Sequence, residues 1–369
     1  MTLVKRIIGL TGNIATGKSV VRQMLVNHGA LGIDADIIAH RVLYPGGSAY
    51  RQVVDAFGSQ ILTRTGEITR KKLAEIVFSS PNSLQQLESF THPAITNAIQ
   101  RRIEAAVLPV IAIEAIKLME SSLANLIDSL WVSHVSREEQ LSRLINIRRM
   151  EADIAQQRID AQPLQTEKLS LADVVIHTDR TFESTWHQVH TALNDTIQMN
   201  SALESLHINI IDSWWIHPAG SFPSSQLSAF INEHLKEPHE MLFQWMASKV
   251  VTPVMKDHTL SQLIVWESQN FTGKIKQVIP PTPTPDQAEV ALLAFEAHAK
   301  ANQCELLIVP GNIASTFTKA LPQYGYKQLQ KDKVTYLDWK QAITTEKNPW
   351  IKLIGEPFES THNHFLRLS

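Results

Sequence analysis

Residues 12–19 read Gly-Asn-Ile-Ala-Thr-Gly-Lys-Ser, a complete G-x-x-x-x-G-K-[ST] pattern. The pattern constrains the fold because of what flanks it. Lys5 to Thr11 is a short apolar run of buried-strand type, and Val20 to Leu25 continues with helical apolar spacing. Strand, glycine loop and helix together aim backbone N–H groups and a helix N-terminus at phosphate. In such a loop Lys18 reaches the β- and γ-phosphates, and the Ser19 hydroxyl ligates Mg²⁺.

The rest of the chain alternates in a way that fits this start. Apolar runs at Ala30–Asp34, Leu108–Ile113, Leu130–Ser133 and Val174–Ile176 predict strands. Helical segments separate them, from Ile37 to Ala106, Ser136 to Gln162 and Phe182 to Met199. Such alternation predicts an α/β fold with a mainly parallel sheet. A polar stretch from Asp195 to Leu206 marks a boundary, after which tryptophans concentrate and a stiff Ile279–Pro285 segment occurs. A length of 369 residues suits two domains, expected at 1–200 and 205–369.

Composition limits the partners. A net charge of −2 gives no bulk electrostatic case for nucleic acid or an anionic membrane. The single cysteine, Cys304, has no internal disulfide partner, and no apolar stretch approaches a membrane span. With no signal pattern in the first residues, a cytoplasmic location is expected. The histidines at 217, 234, 239 and 258 have no spacing that compels a metal site.

Three features narrow the chemistry. Asp34-Ala35-Asp36 stands where the second strand ends, hence near the loop in a parallel sheet. Spaced i, i+2 on an extended segment, the two carboxylates would share a side, one accepting a proton from an attacking hydroxyl. Alternatively Asp36 caps the next helix. No guanine-specifying Asn-Lys-x-Asp segment follows the later strands. Arginines gather at 137, 143, 148, 149 and 158, as a lid closing over ATP requires, or as a solvated face allows.

An ordered series of segments then resembles the dephospho-CoA kinase family over residues 7–190. It comprises Ile8–Gly12 leading into Gly17-Lys18-Ser19, Ile33–Asp36, Gly66–Leu73, Val77-Phe78 and His92-Pro93-Ala94-Ile95. It continues through Glu139–Leu144, Arg158–Gln162, Glu167-Lys168 and Ala172-Asp173. The resemblance implies a P-loop nucleoside-monophosphate-kinase-like parallel sheet with a helical lid. It further implies ATP-dependent phosphorylation of the ribose 3′-hydroxyl of dephospho-CoA, the final step of coenzyme A synthesis. Asp36 would be the base. ATP would lie against Gly12, Asn13, Ile14, Ala15, Thr16, Gly17, Lys18, Ser19 and Val20, with Mg²⁺ on Ser19. Arg143 and one of Arg148 or Arg149 would close over the phosphates, with Thr11 beside the loop. Asp34, Asp36 and His92 would face the acceptor, unless His92 is a capping or core histidine.

The chain departs from the family pattern at Asn13 and Ala15, where glycines are usual, and at Ile116-Lys117. Asn13 tolerates a left-handed backbone, so the loop is expected to keep its shape. Lys117 either aids the acceptor's phosphates or pairs with Glu114 or Glu120. Two other readings of the residues stand: a kinase of another nucleotide or small metabolite, and a nucleotide-switched binding protein acting through its C-terminal part.

Beyond residue 205, a helix at Ala288–Lys300, a strand at Cys304–Val309, a helix at Ala314–Leu321 and a Tyr324–Lys327 turn are expected. Their order is similar to the C-terminal half of GNAT-type acyltransferases, which implies an α+β GNAT-like domain and a CoA or acyl-CoA ligand. The place of that family's pyrophosphate loop is taken by Pro280–Asp286, whose prolines have no N–H to offer.

Overall fold

In the computed structural model, residues 5–197, 207–329 and 336–355 are described. The N-terminal half holds a sheet of five strands: β1 (Arg6–Thr11), β2 (Leu31–Asp34), β3 (Val110–Glu114), β4 (Ser129–His134) and β5 (Val174–His177). All pairs are parallel, in the order β2-β3-β1-β4-β5. Strand β3 is buried at every position, as expected of a central strand covered on both faces. Helices α1 (Lys18–Asn27), α2 (Ala35–Arg41), α3 (Tyr50–Phe57), α4 (Arg70–Phe78) and α5 (Pro81–Ala105) precede β3. Then come α6 (Arg137–Ser142), α7 (Ala152–Asp160), α8 (Gln165–Leu171) and α9 (Phe182–Ile197). The parallel sheet and its helices match the α/β expectation; the polar boundary expected from Asp195 to Leu206 begins inside α9, and its residues 198–206 lie outside the described residues.

The C-terminal half is a mixed α+β layer. Strands β6 (Ile208–Ile211), β7 (Trp214–Ile216), β8 (Val250–Lys256), β9 (Thr259–Gln269) and β10 (Thr272–Ile279) pair antiparallel in sequence. Helices α10 (Ser224–Leu235) and α11 (His239–Met246) fill the gap between β7 and β8. Helix α12 (Pro285–Ala301) crosses over to β11 (Leu306–Val309), parallel to β10 over Thr272–Lys274. A capping box closes its start: Thr284 accepts from Gln287 N, and the Gln287 side chain accepts from Thr284 N.

The helix expected at Ala314–Leu321 is not continuous. Three short pieces stand there instead, α13 (Gly311–Ala314), a 3-10 turn at Ser315–Phe317 and α14 (Ala320–Gln323). Pro322 has no N–H and its ring opposes the carbonyl four residues back, which breaks a continuous turn. The chain ends its described part with β12 (Lys327–Gln328), α15 (Leu337–Thr344) and β13 (Trp350–Leu353).

The two sheets share a core. Met24, Leu25, Val189 and Leu193 of the first half pack with Leu227, Phe243, Val251 and Ile279 of the second. At the end of α1 the buried Asn27 amide donates to Met246 O and Lys249 O and accepts from Val251 N at 2.8 Å. One side chain thus satisfies backbone groups across the junction, which burial requires.

Candidate active site

The loop between β1 and α1 has the curvature its sequence demands. Gly17 sits at φ 87°, where a Cβ would lie 2.8 Å from Thr178 Oγ1. A Cβ on Gly12 would meet Ser133 O at 2.7 Å. Ala15, not Asn13, adopts the left-handed backbone, at φ 60°. Asn13 instead tethers the loop: its side chain donates to Pro163 O and accepts from Lys168 Nζ at 3.2 Å. The buried Lys168 also donates to Ile116 O, joining the loop to the segment after β3.

A cleft of about 600 Å³ opens over this loop, bordered by Lys18, Ser19, Asp36, Glu114, Arg143 and Arg148. Lys18 Nζ donates to Gly12 O and Asn13 O at 2.9 and 3.0 Å. Burial lowers its pKa to about 8, against the opposing pull of Glu114. Ser19 Oγ donates to Glu114 Oε1 at 2.9 Å, and Arg22 Nε to Glu114 Oε2 at 2.7 Å. This carboxylate ends β3 and is 6 % exposed.

Asp34 and Asp36 divide their roles, and the expectation of two carboxylates on one extended segment fails. Asp34 is the cap: its Oδ1 accepts from Asp36 N at 3.0 Å and Ile37 N at 3.2 Å. The helix begins at Ala35, so Asp36 lies in its first turn with its side chain open to the cleft. Burial in the cleft walls, then repulsion from Glu114, raises the Asp36 pKa, while Lys18 opposes the rise. Asp34 is raised for the same leading reasons.

The arginine side is set by one turn of π-helix, Arg143–Ile147, in which Arg148 N donates to Arg143 O. Such bulges recur where a helix must re-aim side chains. Arg143 donates to Glu139 Oε1 at 2.8 Å, Ala15 O at 3.2 Å and Thr178 Oγ1 at 3.0 Å. Arg148 lines the cleft; Arg149, at φ 55°, does not.

Six further expected residues stay outside its lining. Thr11 is fully buried, its hydroxyl donating to Ile116 O at 3.0 Å. His92 is exposed on α5 beside Pro93, and Lys117 is exposed in the turn after β3. Gly12, Asn13 and Thr16 lie beneath the loop rather than on the cleft face. Thr16 Oγ1 meets Ser133 Oγ at 2.7 Å. Glu114 and Arg180 line the cleft without having been singled out. For Glu114 the signal was present: it is the last residue of a parallel strand beside the loop, where open α/β sheets place their ligands.

Comparison with known proteins bears on the family. The dephospho-CoA kinase family model matches residues 6–184. A dephospho-CoA kinase of Carboxydothermus hydrogenoformans is 43 % identical over 194 residues, 52 % of this chain and 94 % of that protein. The solved dephospho-CoA kinase of Campylobacter jejuni is 26 % identical, covering 53 % of this chain and 99 % of its own, with TM-score 0.41. An acetyltransferase structure from Streptococcus agalactiae is similar over 39 % of this chain and all of its own, at 15 % identity and TM-score 0.26. On its match to the family model and to relatives covered almost end to end, the chain belongs to the dephospho-CoA kinase family.

Proposed function

We infer that the chain transfers the γ-phosphoryl group of ATP to the ribose 3′-hydroxyl of dephospho-CoA, giving coenzyme A and ADP. The observation that carries the residue roles is the placement of Asp36 in one cleft with Lys18, Ser19, Glu114, Arg143, Arg148 and Arg180. Asp36 accepts the 3′-hydroxyl proton as the oxygen attacks phosphorus and the bond to the β-phosphate oxygen breaks. Lys18, Arg143 and Arg148 supply the positive charge that a dissociative phosphoryl transfer calls for. The backbone N–H groups from Ala15 to Val20 hold the phosphates.

The donors fit Mg²⁺. A serine hydroxyl and a carboxylate, 2.9 Å apart, are the hard oxygen ligands this ion takes, with water and phosphate completing its set. When bound, Mg²⁺ would neutralise charge on the β- and γ-phosphates. Glu114 would hold it through Ser19 and bound water, while Arg22 fixes the carboxylate.

We further propose a division of the chain at 1–200 and 205–369, and a cytoplasmic location; no helix among the described residues is long and apolar enough to cross a membrane. For the second part we assign no acyl transfer. The capping box of α12 engages the Thr284 and Gln287 N–H groups, and Pro280, Pro281, Pro283 and Pro285 have no N–H. Coupled ADP release with dephospho-CoA as acceptor tests the reading. Turnover in the native chain, reduced about 10²–10⁴-fold in Asp36→Asn, is expected. Phosphorylation of a different acceptor in place of dephospho-CoA would overturn it.

A further inference from the structure

A second cleft, of about 390 Å³, lies where the two halves meet. From the first half it is lined by His40, Tyr44 and Arg70, and from the second by Asn270, Leu337 and Gln341. Its relation to the active site follows from helix α2. Asp36 and His40 are spaced i, i+4 and both stand exposed, so they share one face roughly 6 Å apart. The cleft therefore opens one helical turn beyond Asp36 along α2.

The far wall is fixed rigidly to that helix. Asp338, beside Leu337 on α15, accepts from Arg41 Nε at 2.8 Å and from Tyr44 OH at 2.9 Å. Arg41, the last residue of α2, also makes two bonds to Glu305 at the start of β11. All three charged side chains are buried. A wall held this way cannot slide along α2 without breaking a buried charge network.

We propose that the C-terminal half completes the acceptor site, with Gln341 and Asn270 holding the amide-bearing arm that dephospho-CoA carries beyond its nucleotide. This rests on the reading of Asp36 as base toward dephospho-CoA. With the 3′-hydroxyl at Asp36, the rest of the acceptor extends away from ATP, toward His40. The arm is uncharged, with two amides and a branched apolar segment. The cleft offers side-chain amides at Asn270 and Gln341 and apolar surface at Leu43, Ile68 and Leu337, while of its two carboxylates Asp338 is engaged by Arg41 and Tyr44 and Glu67 stands on the wall beside Arg70's helix. Arg70, which donates to His40 Nε2 at 2.8 Å, places a cation for the acceptor's diphosphate where the arm begins. A volume of this size is within the range of small-ligand clefts.

Gln341 is exposed on α15, so its replacement is compatible with folding, which a matched thermal midpoint verifies. Steady-state kinetics of the full chain then compare Gln341→Ala and the cleft-filling Gln341→Trp. The KM for dephospho-CoA is expected to rise about fivefold in the first and tenfold or more in the second, with the KM for ATP within twofold. An unchanged acceptor KM in both variants, or acceptor and ATP constants moving together, would overturn the proposal while leaving the kinase reading intact. Absence of dephospho-CoA turnover in the unaltered chain would instead sink the kinase reading, and this inference with it.

Discussion

Arg41 and Glu305, 264 residues apart, form a two-pronged ion pair at 2.7 and 2.8 Å with both side chains out of contact with solvent. Arg102 joins the same carboxylate at 2.9 Å, and Arg41 also holds Asp338. Two arginines thus face two carboxylates. The Phe271 ring lies 3.5 Å from the Arg102 guanidinium carbon and 4.5 Å from that of Arg41. Such a network adds little over well-packed apolar residues, but removing one member strands the others without water. Glu305→Ala is expected to cost about 3–5 kcal/mol of stability. Because Arg41 ends the helix that begins beside Asp36, kcat should fall as well. Chemical denaturation and turnover on the same preparation measure both; a loss below about 1 kcal/mol would contradict the account.

The pH dependence of the reaction has a defined shape. As the proposed base Asp36 acts only when ionised, and burial and Glu114 raise its pKa, so activity falls with acid from a higher pH than an ordinary aspartate would set. Lys18 must be charged to meet phosphate, and its pKa is lowered to about 8, so kcat/KM for ATP falls as pH rises through 8. Bound phosphate favours the charged ammonium, which moves the alkaline limb of kcat upward. Profiles of both parameters check this; coincident alkaline limbs would count against Lys18 as the group responsible.

Glu114→Gln keeps the shape of the side chain and removes its charge. The Ser19 hydroxyl can still find an oxygen, yet the anion that favours a divalent cation is gone. We expect a higher Mg²⁺ requirement and a kcat lowered about 10²-fold. Mg²⁺ titration of the activity separates these effects, and a native Mg²⁺ curve would remove Glu114 from the site.

Neighbouring arginines should behave differently. Arg148→Ala is expected to lower kcat about 10²-fold, since Arg148 borders the cleft. Arg149→Ala should stay within twofold. Equal losses in the two variants would mean that the lid presents both residues during turnover.

These contrasts show where the sequence is readable. The phosphate loop, the five parallel strands and the place of Asp36 in the cleft are local matters: a contiguous motif, runs of apolar residues, a carboxylate just past a strand end. The choice between Arg148 and Arg149 was not legible, because a single π turn shifts the phase of every later side chain. The left-handed position fell on Ala15 because loop closure decides it, and residue preference for Asn13 does not. Asp34 took the cap that Asp36 also suited, since the helix starts two residues earlier than its apolar pattern suggests. Glu114 needed only the rule that β-strand ends face ligands, applied to the third strand. The Arg41–Glu305 pair carried no local signal at all; only the meeting of the two halves creates it.

Two buried histidines give the folded state a predictable weakness to acid. His28 stacks on Trp186 at 4.0 Å, and burial lowers its pKa to about 3. The same cause lowers His298, bonded to Thr252 Oγ1 at 2.6 Å, to about 4. In the unfolded chain both titrate near pH 6.5. Between those values the unfolded state binds more protons, so stability rises with pH and is lost as pH falls below about 6.5. Each histidine contributes up to about 1.4 kcal/mol per pH unit in that window, so about 4 kcal/mol together at pH 5. The thermal midpoint should therefore drop steeply between pH 6.5 and 5. Gly220 packs so closely on the His28 ring that a Cβ there would lie 1.9 Å from Nδ1, which helps enclose the imidazole. His28→Asn, although less stable at neutral pH, should lose about half of the slope; a midpoint flat between pH 6.5 and 5 in the unaltered chain would show that neither histidine is held neutral.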